Sequence, residues 1–407
     1  MTAPGPPEPQ FTPRAPVIAY CANVARASTI AEARRGIVEE LAQAREAAGL
    51  AEIGVGLWLP DGVAREIVPD PDAPLRDDSR RLLGEWRSVL AERNVFVIGF
   101  NGFPFGAFHA DTVRHDVYMP NWTTRERCDY TRRLALMLTE LAPDGAKASS
   151  VTTVPLGWRE HLTEADRRAC GQRLAELTDW LARLEMESGL RVRVDIEPEP
   201  GCALQRASDV VAFFERHLDA VGDAGLNRRH IRICHDICHA AALFEPQEAT
   251  ISAYLTAGID IGRVQVSSIP RGVVDAEASS GAIRAALAEI VERRYLHQTA
   301  VRAADGQTWS FDDLPDALRA PDADCAIEWR THFHIPIHLD GFGALRTTRD
   351  DIVECLNVLR AREVGAPLEI ETYAWQVAPA AVRASSLAES MSAEIGWLRD
   401  QVRRVWR

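Results

Sequence analysis

The chain lacks the features that mark several large classes of protein. No uninterrupted apolar run reaches the roughly 18 to 20 residues that cross a bilayer, so no membrane span is expected. The first sixteen residues, MTAPGPPEPQFTPRAP, hold six prolines and no apolar stretch. That composition suits neither a secretory leader nor a packed element, and it predicts a flexible tail over residues 1–16. Positive charge is short: 46 Lys and Arg face 59 Asp and Glu, a net charge of −13 with no long basic run. An electrostatic grip on nucleic acid is therefore not expected. Cysteine is sparse, with eight in 407 residues (Cys21, Cys128, Cys170, Cys202, Cys234, Cys238, Cys325 and Cys355). They lie far apart in a chain too large to need disulfide staples, which predicts a protein of a reducing compartment, the cytoplasm. There is no repeat of roughly 20 to 50 residues, no Walker loop and no Gly-x-Ser-x-Gly elbow. Gly54-Val-Gly56 is not completed into a dinucleotide fingerprint, so no nucleotide cofactor is expected.

What is present is a large apolar fraction, 46%, arranged as short β-branched or aromatic runs alternating with longer helical patterns. The runs are Val17–Cys21, Ile53–Leu59, Val95–Phe100, Ser150–Pro155, Val192–Glu197, Ile231–Asp236, Val264–Ser267, Thr331–His338 and Leu368–Tyr373. Between them lie amphipathic stretches such as Thr163 to Ser188, with Leu174, Leu177, Trp180, Leu181 and Leu184 at helical spacing. Alternation of this kind implies parallel strands with right-handed helical crossovers. Eight such units make a (β/α)8 TIM barrel, and a doubly wound sheet is the competing arrangement. Nine candidate strands compete for eight places, so either Phe333–His338 or Leu368–Tyr373 belongs to an insertion or replaces Val264–Ser267. The expected organisation is one barrel over 17–407 with a late insertion at about 295–340.

In a barrel the reacting groups project from the C-terminal ends of the strands, and here those ends are rich in carboxylates and imidazoles. One run ends Asp195-Ile-Glu197-Pro-Glu199, the next ends His235-Asp236 with His239 following, and the late runs offer His332, His334, His338, Glu369 and Glu371. Several carboxylates in one dry site repel unless a cation or protons neutralise them, so a divalent ion (Mn²⁺, Mg²⁺, Co²⁺ or Zn²⁺) is the expected cofactor. Side-chain alternation sets Glu197 on one face with Asp195 and Glu199, Asp236 opposite His235, and Glu369 with Glu371. Glu371, nearer its strand end, is the better ligand candidate. The blander alternative is that Asp236 only caps a helix and Pro198 and Pro200 only mark a loop.

Further candidates are Asn101 and His109 in and after the loop Asn101–Gly106, Arg271 as an oxyanion binder, and His297 and Gln298 in a hairpin around Asp305-Gly306. Trp122, Trp158 and Trp375 are candidates for stacking on a sugar, against the ordinary core role of tryptophan. Cys234 and Cys238 read as small fillers, since no second cysteine pair accompanies them.

The motifs Tyr20-Cys-Ala-Asn23, Asn101-Gly-Phe-Pro-Phe-Gly-Ala-Phe-His109, Thr153-Val-Pro-Leu-Gly157, Glu197-Pro-Glu-Pro-Gly-Cys202, His235-Asp-Ile-Cys-His239, Gln265-Val-Ser-Ser268, Tyr295-Leu-His-Gln298, His332-Phe-His334 and Glu369-Ile-Glu-Thr-Tyr373 resemble the EboE-type proteins. Those belong to the xylose-isomerase-like TIM barrels, and the resemblance covers nearly the whole chain after the tail. The ketose 3-epimerases of that superfamily hold one Mn²⁺-type ion with Glu, Asp, His and Glu from successive late strands. A second His stands three residues after that Asp, and an Arg six residues after the metal-binding His. By this resemblance Glu197, Asp236 and Glu371 are metal ligands, His239 is the second His, and Arg271 is the Arg if Gln265 takes the His position. Gln in place of His is a departure: either the amide of Gln265 binds the metal or His334 supplies the imidazole.

The function expected is a metal-dependent isomerase or epimerase of a polyhydroxylated ketone, a sugar or cyclitol, in specialised metabolism. Glu197 and Glu371 would exchange a proton through an enediolate, with His239 and Arg271 orienting hydroxyls. His109, Asn101, His297 and Trp375 complete the expected substrate shell. Two alternatives stand beside it: a barrel with two or three metals doing oxidative or hydrolytic chemistry, with His297, His334, His338 and Glu199 as extra ligands, and a non-catalytic cyclitol carrier. The expected partners are the small-molecule substrate and a second copy of the chain in a homodimer.

Overall fold

Seven short strands, β1 (Ile18–Cys21), β2 (Ile53–Leu57), β3 (Val95–Asn101), β4 (Ala148–Thr153), β5 (Arg191–Ile196), β6 (Ile231–Asp236) and β7 (Ile261–Val266), pair in parallel, each with its sequence neighbour. The computed structural model describes residues 15–25, 29–106 and 108–407, so the expected tail up to residue 14 lies outside the described residues. After β7 the chain leaves the barrel and builds a second, antiparallel sheet. Its strands are β8 (Pro270–Val273), β9 (Thr299–Ala303), β10 (Thr308–Phe311), β11 (Ala326–Thr331), β12 (Gly341–Phe342) and β13 (Leu345–Thr347), in the order β10-β9-β11-β8-β13-β12. The chain then returns for β14 (Leu368–Ile370), which hydrogen-bonds β7 on one side and β1 on the other and closes an eight-stranded parallel barrel.

The fold is thus a (β/α)8 TIM barrel, and the ninth strand candidate resolves in favour of Leu368–Tyr373. The run from Thr331 to His338 divides: β11 stops at Thr331, and the residues beyond it, with Pro336 among them, leave the sheet. The segment outside the barrel starts at Pro270 rather than near residue 295. Its first strand is four residues long, too short to stand out from a loop by periodicity.

Helices cover the barrel because their apolar stripes face it. The helix Glu164–Ser188 buries Leu174, Leu177, Leu181 and Leu184, starts at a Thr163–Asp166 capping box, and stops where Gly189 turns left-handed at φ 73°. The second sheet has its own apolar core, with Ile283, Leu287, Val301, Trp329, Phe333 and Ile335 among its members. It is tied to the top of the barrel where Ile335 N donates to Ser268 O (3.0 Å).

Inside the barrel, below the strand ends, lies a fully buried ion pair. Arg263 Nη1 donates to Glu369 Oε2 at 3.0 Å, and Nη2 donates to Ser150 Oγ (2.9 Å) and Ser150 O (3.1 Å). Two glycines make room for it. A Cβ on Gly56 would lie 1.6 Å from Glu369 Oε1, and one on Gly99 would lie 2.1 Å from Arg263 Nη2. Gly56 is therefore a packing residue, its missing Cβ required by the buried pair.

Removing one charge of such a pair leaves the other buried and uncompensated. We expect Arg263→Leu to destabilise the fold by about 3–5 kcal/mol, and Arg263→Leu with Glu369→Leu to recover most of that loss. Urea unfolding of the two variants checks this; equal stabilities would show that the pair is not what holds the barrel interior.

Candidate active site and metal centre

Three carboxylates reach the upper end of the barrel from three strands. Glu197 is the first residue beyond β5, Asp236 ends β6 and Glu371 follows β14, and all three are buried. Asp236 does cap a helix: its Oδ1 accepts from Cys238 N (2.8 Å) and His239 N (3.3 Å), and also from Ser267 Oγ (2.6 Å). Its Oδ2 has no protein partner, and neither has Glu197 Oε2. The capping and ligand readings of Asp236 are thus compatible, one oxygen for each. Glu371 Oε1 is held by Asn23 Nδ2 (2.6 Å) and Asn101 Nδ2 (3.0 Å).

The electrostatics follow from this crowding. Burial pushes the Glu197 carboxyl well above its ordinary range, reinforced by Glu371 and Asp236 nearby. Glu371 is raised for the same reasons, burial first and then Asp236 and Glu369. Asp236 goes the other way. Burial alone would raise it, but His239, His334 and the bond from Ser267 hold it below the usual carboxylate range.

Three histidines surround these acids, and their hydrogen bonds fix which nitrogen carries the proton. His239 Nδ1 donates to Pro198 O (2.8 Å) and His334 Nδ1 to Glu371 O (2.6 Å). His332 Nδ1 lies 2.9 Å from Gln298 Oε1. The Gln298 amide nitrogen is committed to Glu199 Oε1 and Pro200 O, so its oxygen accepts and His332 Nδ1 donates. In its neutral form each of the three rings therefore turns an unprotonated Nε2 inward, the tautomer that binds metal ions. Burial lowers His332 well below its ordinary value and His334 to about 4, the latter against the opposing pull of Asp236.

Glu197, Asp236 and His239 bring one ligand atom each within 4.8 Å of one another, and so do Asp236, His334 and Glu371. Their donor types, and the unpartnered oxygens among them, fit a divalent cation. Gln265 is completely buried two residues below Ser267, with both amide atoms unpartnered.

Above this floor is a cavity of about 60 Å³, small beside the roughly 300 Å³ at which ligand pockets usually begin. Its aromatic roof includes Phe103, Phe108, Tyr118, Tyr295 and Tyr373. The roof is latched: Val113 N and Arg114 N both donate to Arg294 O, and Arg114 Nη2 pairs with Asp313 Oδ2 at 2.7 Å.

Asn101 lines the cavity as expected, while several other candidates do not. Arg271 sits on β8 with its Nε on Glu328 Oε1 (2.7 Å), because the second sheet claims it as a cross-strand charge partner of β11. His297 packs on Phe333 between Glu292 and Asp313. His109 Nε2 donates to Asn23 O (2.8 Å), supporting the floor from behind. Trp375 packs against the main core, and Tyr373 takes the cavity position instead. Trp122 donates to Thr153 Oγ1 (3.0 Å) from a fully buried position, and Trp158 is core as well. His338 is half-buried beside Arg349. Asn23, Ser267 and Tyr118 carry no site expectation in the sequence. Asn23 holds Glu371 from just past β1. Ser267 shares a face with Gln265 and so had a signal in the alternation, whereas Tyr118, which donates to Glu199 Oε1 (2.7 Å), lies in a stretch without periodicity.

No protein-family model and no curated protein matches the chain. Solved structures do. A xylose isomerase-like TIM barrel protein from Mycobacterium smegmatis, in complex with magnesium, aligns at 13% identity over 98% of this chain and 100% of that one, with a TM-score of 0.52. The IOLI protein with a bound zinc atom aligns at 11% identity (96% of this chain, 99% of that one, TM-score 0.47). A D-tagatose 3-epimerase-like protein aligns at 10% (96% and 98%, TM-score 0.46). At these identities the likeness is one of fold, the TIM barrel that the strand order shows. All eight cysteines are free thiols, and among the described residues no helix is long and apolar enough to cross a membrane.

The raised carboxyls make stability depend on pH in a definite direction. Glu197 and Glu371 hold protons more tightly when folded than in the unfolded chain, where Glu titrates near about 4.3. Their contribution is complete below that value and is lost as pH rises through the raised folded values. The part of the unfolding free energy that these two carboxyls contribute to the metal-free protein is therefore expected to fall as pH rises above about 4.3, and Glu371→Gln to flatten that fall. Denaturant titrations of the wild type and the variant across a pH series measure it, and identical pH dependences would contradict the assignment.

Proposed function

We propose that the protein is a divalent-metal-dependent isomerase or epimerase acting on a polyhydroxylated ketone, a sugar or a cyclitol. The observation that carries this reading is the placement of two buried glutamates, Glu197 and Glu371, just beyond the ends of separate strands and on either side of Asp236, where burial and mutual repulsion favour their protonated forms. Glu197, Asp236 and Glu371 would hold the ion, with His334, His239 or the amide of Gln265 as the remaining ligand. When bound, such an ion supplies Lewis-acid polarisation of a carbonyl oxygen.

The chain's own groups account for the proton movements. One glutamate in its ionised form removes the proton from the carbon beside the carbonyl. The other, in its protonated form, delivers one to the opposite face or to the next carbon. Asn23 and Asn101 fix the direction of the Glu371 carboxyl, so the proton leaves along one line. His239, pinned by Pro198 O, is oriented to bond a substrate hydroxyl. The closed aromatic roof keeps bulk water from the carbanionic centre. Arg271 has no part in this scheme, since Glu328 holds it elsewhere.

The test is exchange of carbon-bound hydrogen. With Mn²⁺ added and a panel of ketoses and keto-cyclitols in D₂O, the wild type is expected to introduce deuterium next to the carbonyl. Glu197→Gln and Glu371→Gln are each expected to slow this by about 100-fold or more. Binding of a polyol by calorimetry without metal and without exchange would instead identify a carrier.

A further inference from the structure

We propose that the cavity holds a second divalent cation, bound by the Nε2 atoms of His239, His332 and His334 and separate from the ion of the three carboxylates. The proposal rests on the one-ion reading above and adds to it. Its starting point is a contact that two imidazoles protonated only at Nδ1 make unfavourably: His332 Nε2 and His334 Nε2 face one another at 3.1 Å. Both rings have committed their protons at Nδ1, to Gln298 Oε1 and Glu371 O. Two lone pairs are therefore set opposite each other in a buried site, an arrangement favourable only with a positive centre beside both.

The third ring completes the set. His239 lies with its centroid 4.7 Å from that of His332, and its Nδ1 proton is likewise committed, to Pro198 O. Cys238 Sγ is 3.5 Å from His334 Nε2, and ligand atoms of Cys238, His239, His332 and His334 all lie within 4.8 Å of one another. Three neutral imidazoles with a thiol alongside are the ligand chemistry of Zn²⁺ or Co²⁺ rather than Mg²⁺. The unpartnered Asp236 Oδ2 stands 3.7 Å from His239 Nε2, on the border between this set and the carboxylates, and is placed to bridge the two ions. With His239 and His334 engaged here, the carboxylate ion is left with Glu197, Asp236, Glu371 and the unpartnered amide of Gln265, and His239 Nε2 holds the second ion in place of a substrate hydroxyl.

The experiment is metal stoichiometry on the full chain. Protein stripped of metal, loaded with excess Zn²⁺ and freed of unbound ion is expected to retain two equivalents by mass spectrometry. His332→Ala is expected to retain one, and Glu371→Gln to keep the imidazole-bound ion. Co²⁺ titration of the wild type gives a second readout independent of any variant: two successive phases, the visible absorption of an imidazole-rich site being lost in His332→Ala. A wild type that saturates at one equivalent overturns the inference and leaves the one-ion isomerase standing. A wild type that retains none overturns both, and two equivalents persisting in His332→Ala overturns the imidazole assignment.

Discussion

Mutual repulsion among Glu197, Asp236 and Glu371 in a cavity with little water is the constraint around which the top of the barrel is arranged. Each carboxylate meets a different answer. Asp236 collects two backbone N–H groups and the Ser267 hydroxyl on one oxygen, so it remains ionised at the cost of that oxygen's availability. Glu371 receives two amides, from Asn23 after β1 and Asn101 at the end of β3. Glu197 has no such provision at Oε2 and stays the strongest candidate for direct contact with a cation or a substrate. Around them the imidazoles are locked by backbone or amide oxygens, so no proton is left on the nitrogens that face inward.

The same problem is solved differently one layer down. Glu369 shares a face with Glu371, but a guanidinium accompanies it, and glycines on β2 and β3 yield the space the pair needs. A buried carboxylate with a fixed counter-charge contributes to the scaffold, whereas one that faces other carboxylates with no cationic side chain beside it is available for chemistry. The contrast between Glu369 and Glu197 separates framework from site on physical grounds, without appeal to any relative.

Much of this was legible in the sequence. Glu197, Asp236, His239 and Glu371 stood out because strand ends in a barrel share one mouth, so polar residues at the ends of apolar runs converge whatever their spacing. The expected TIM barrel holds for the same reason, since the alternation of runs is a property of local periodicity. Arg271 and His297 misled because they belong to, or lie beside, a second sheet whose short strands have no strong periodic signal, and Trp375 because it packs into the main core. Within that sheet a polar residue is claimed by a neighbour before it can reach the cavity: Arg271 by Glu328, His297 by Glu292 and Asp313. Tyr118 and the roof latch depend on contacts between segments nearly two hundred residues apart, Arg114 with Asp313, which no local pattern encodes.

His332 and His334 extend from β11 of the second sheet, while the carboxylates extend from the barrel. Any ligand that touches both acts as a strap between two layers with separate apolar cores. Occupancy of the cavity and the seating of the sheet on the barrel are then a single coupled equilibrium. By reciprocity, whatever loosens the outer sheet weakens the cavity's grip by the same factor by which a filled cavity resists the loosening.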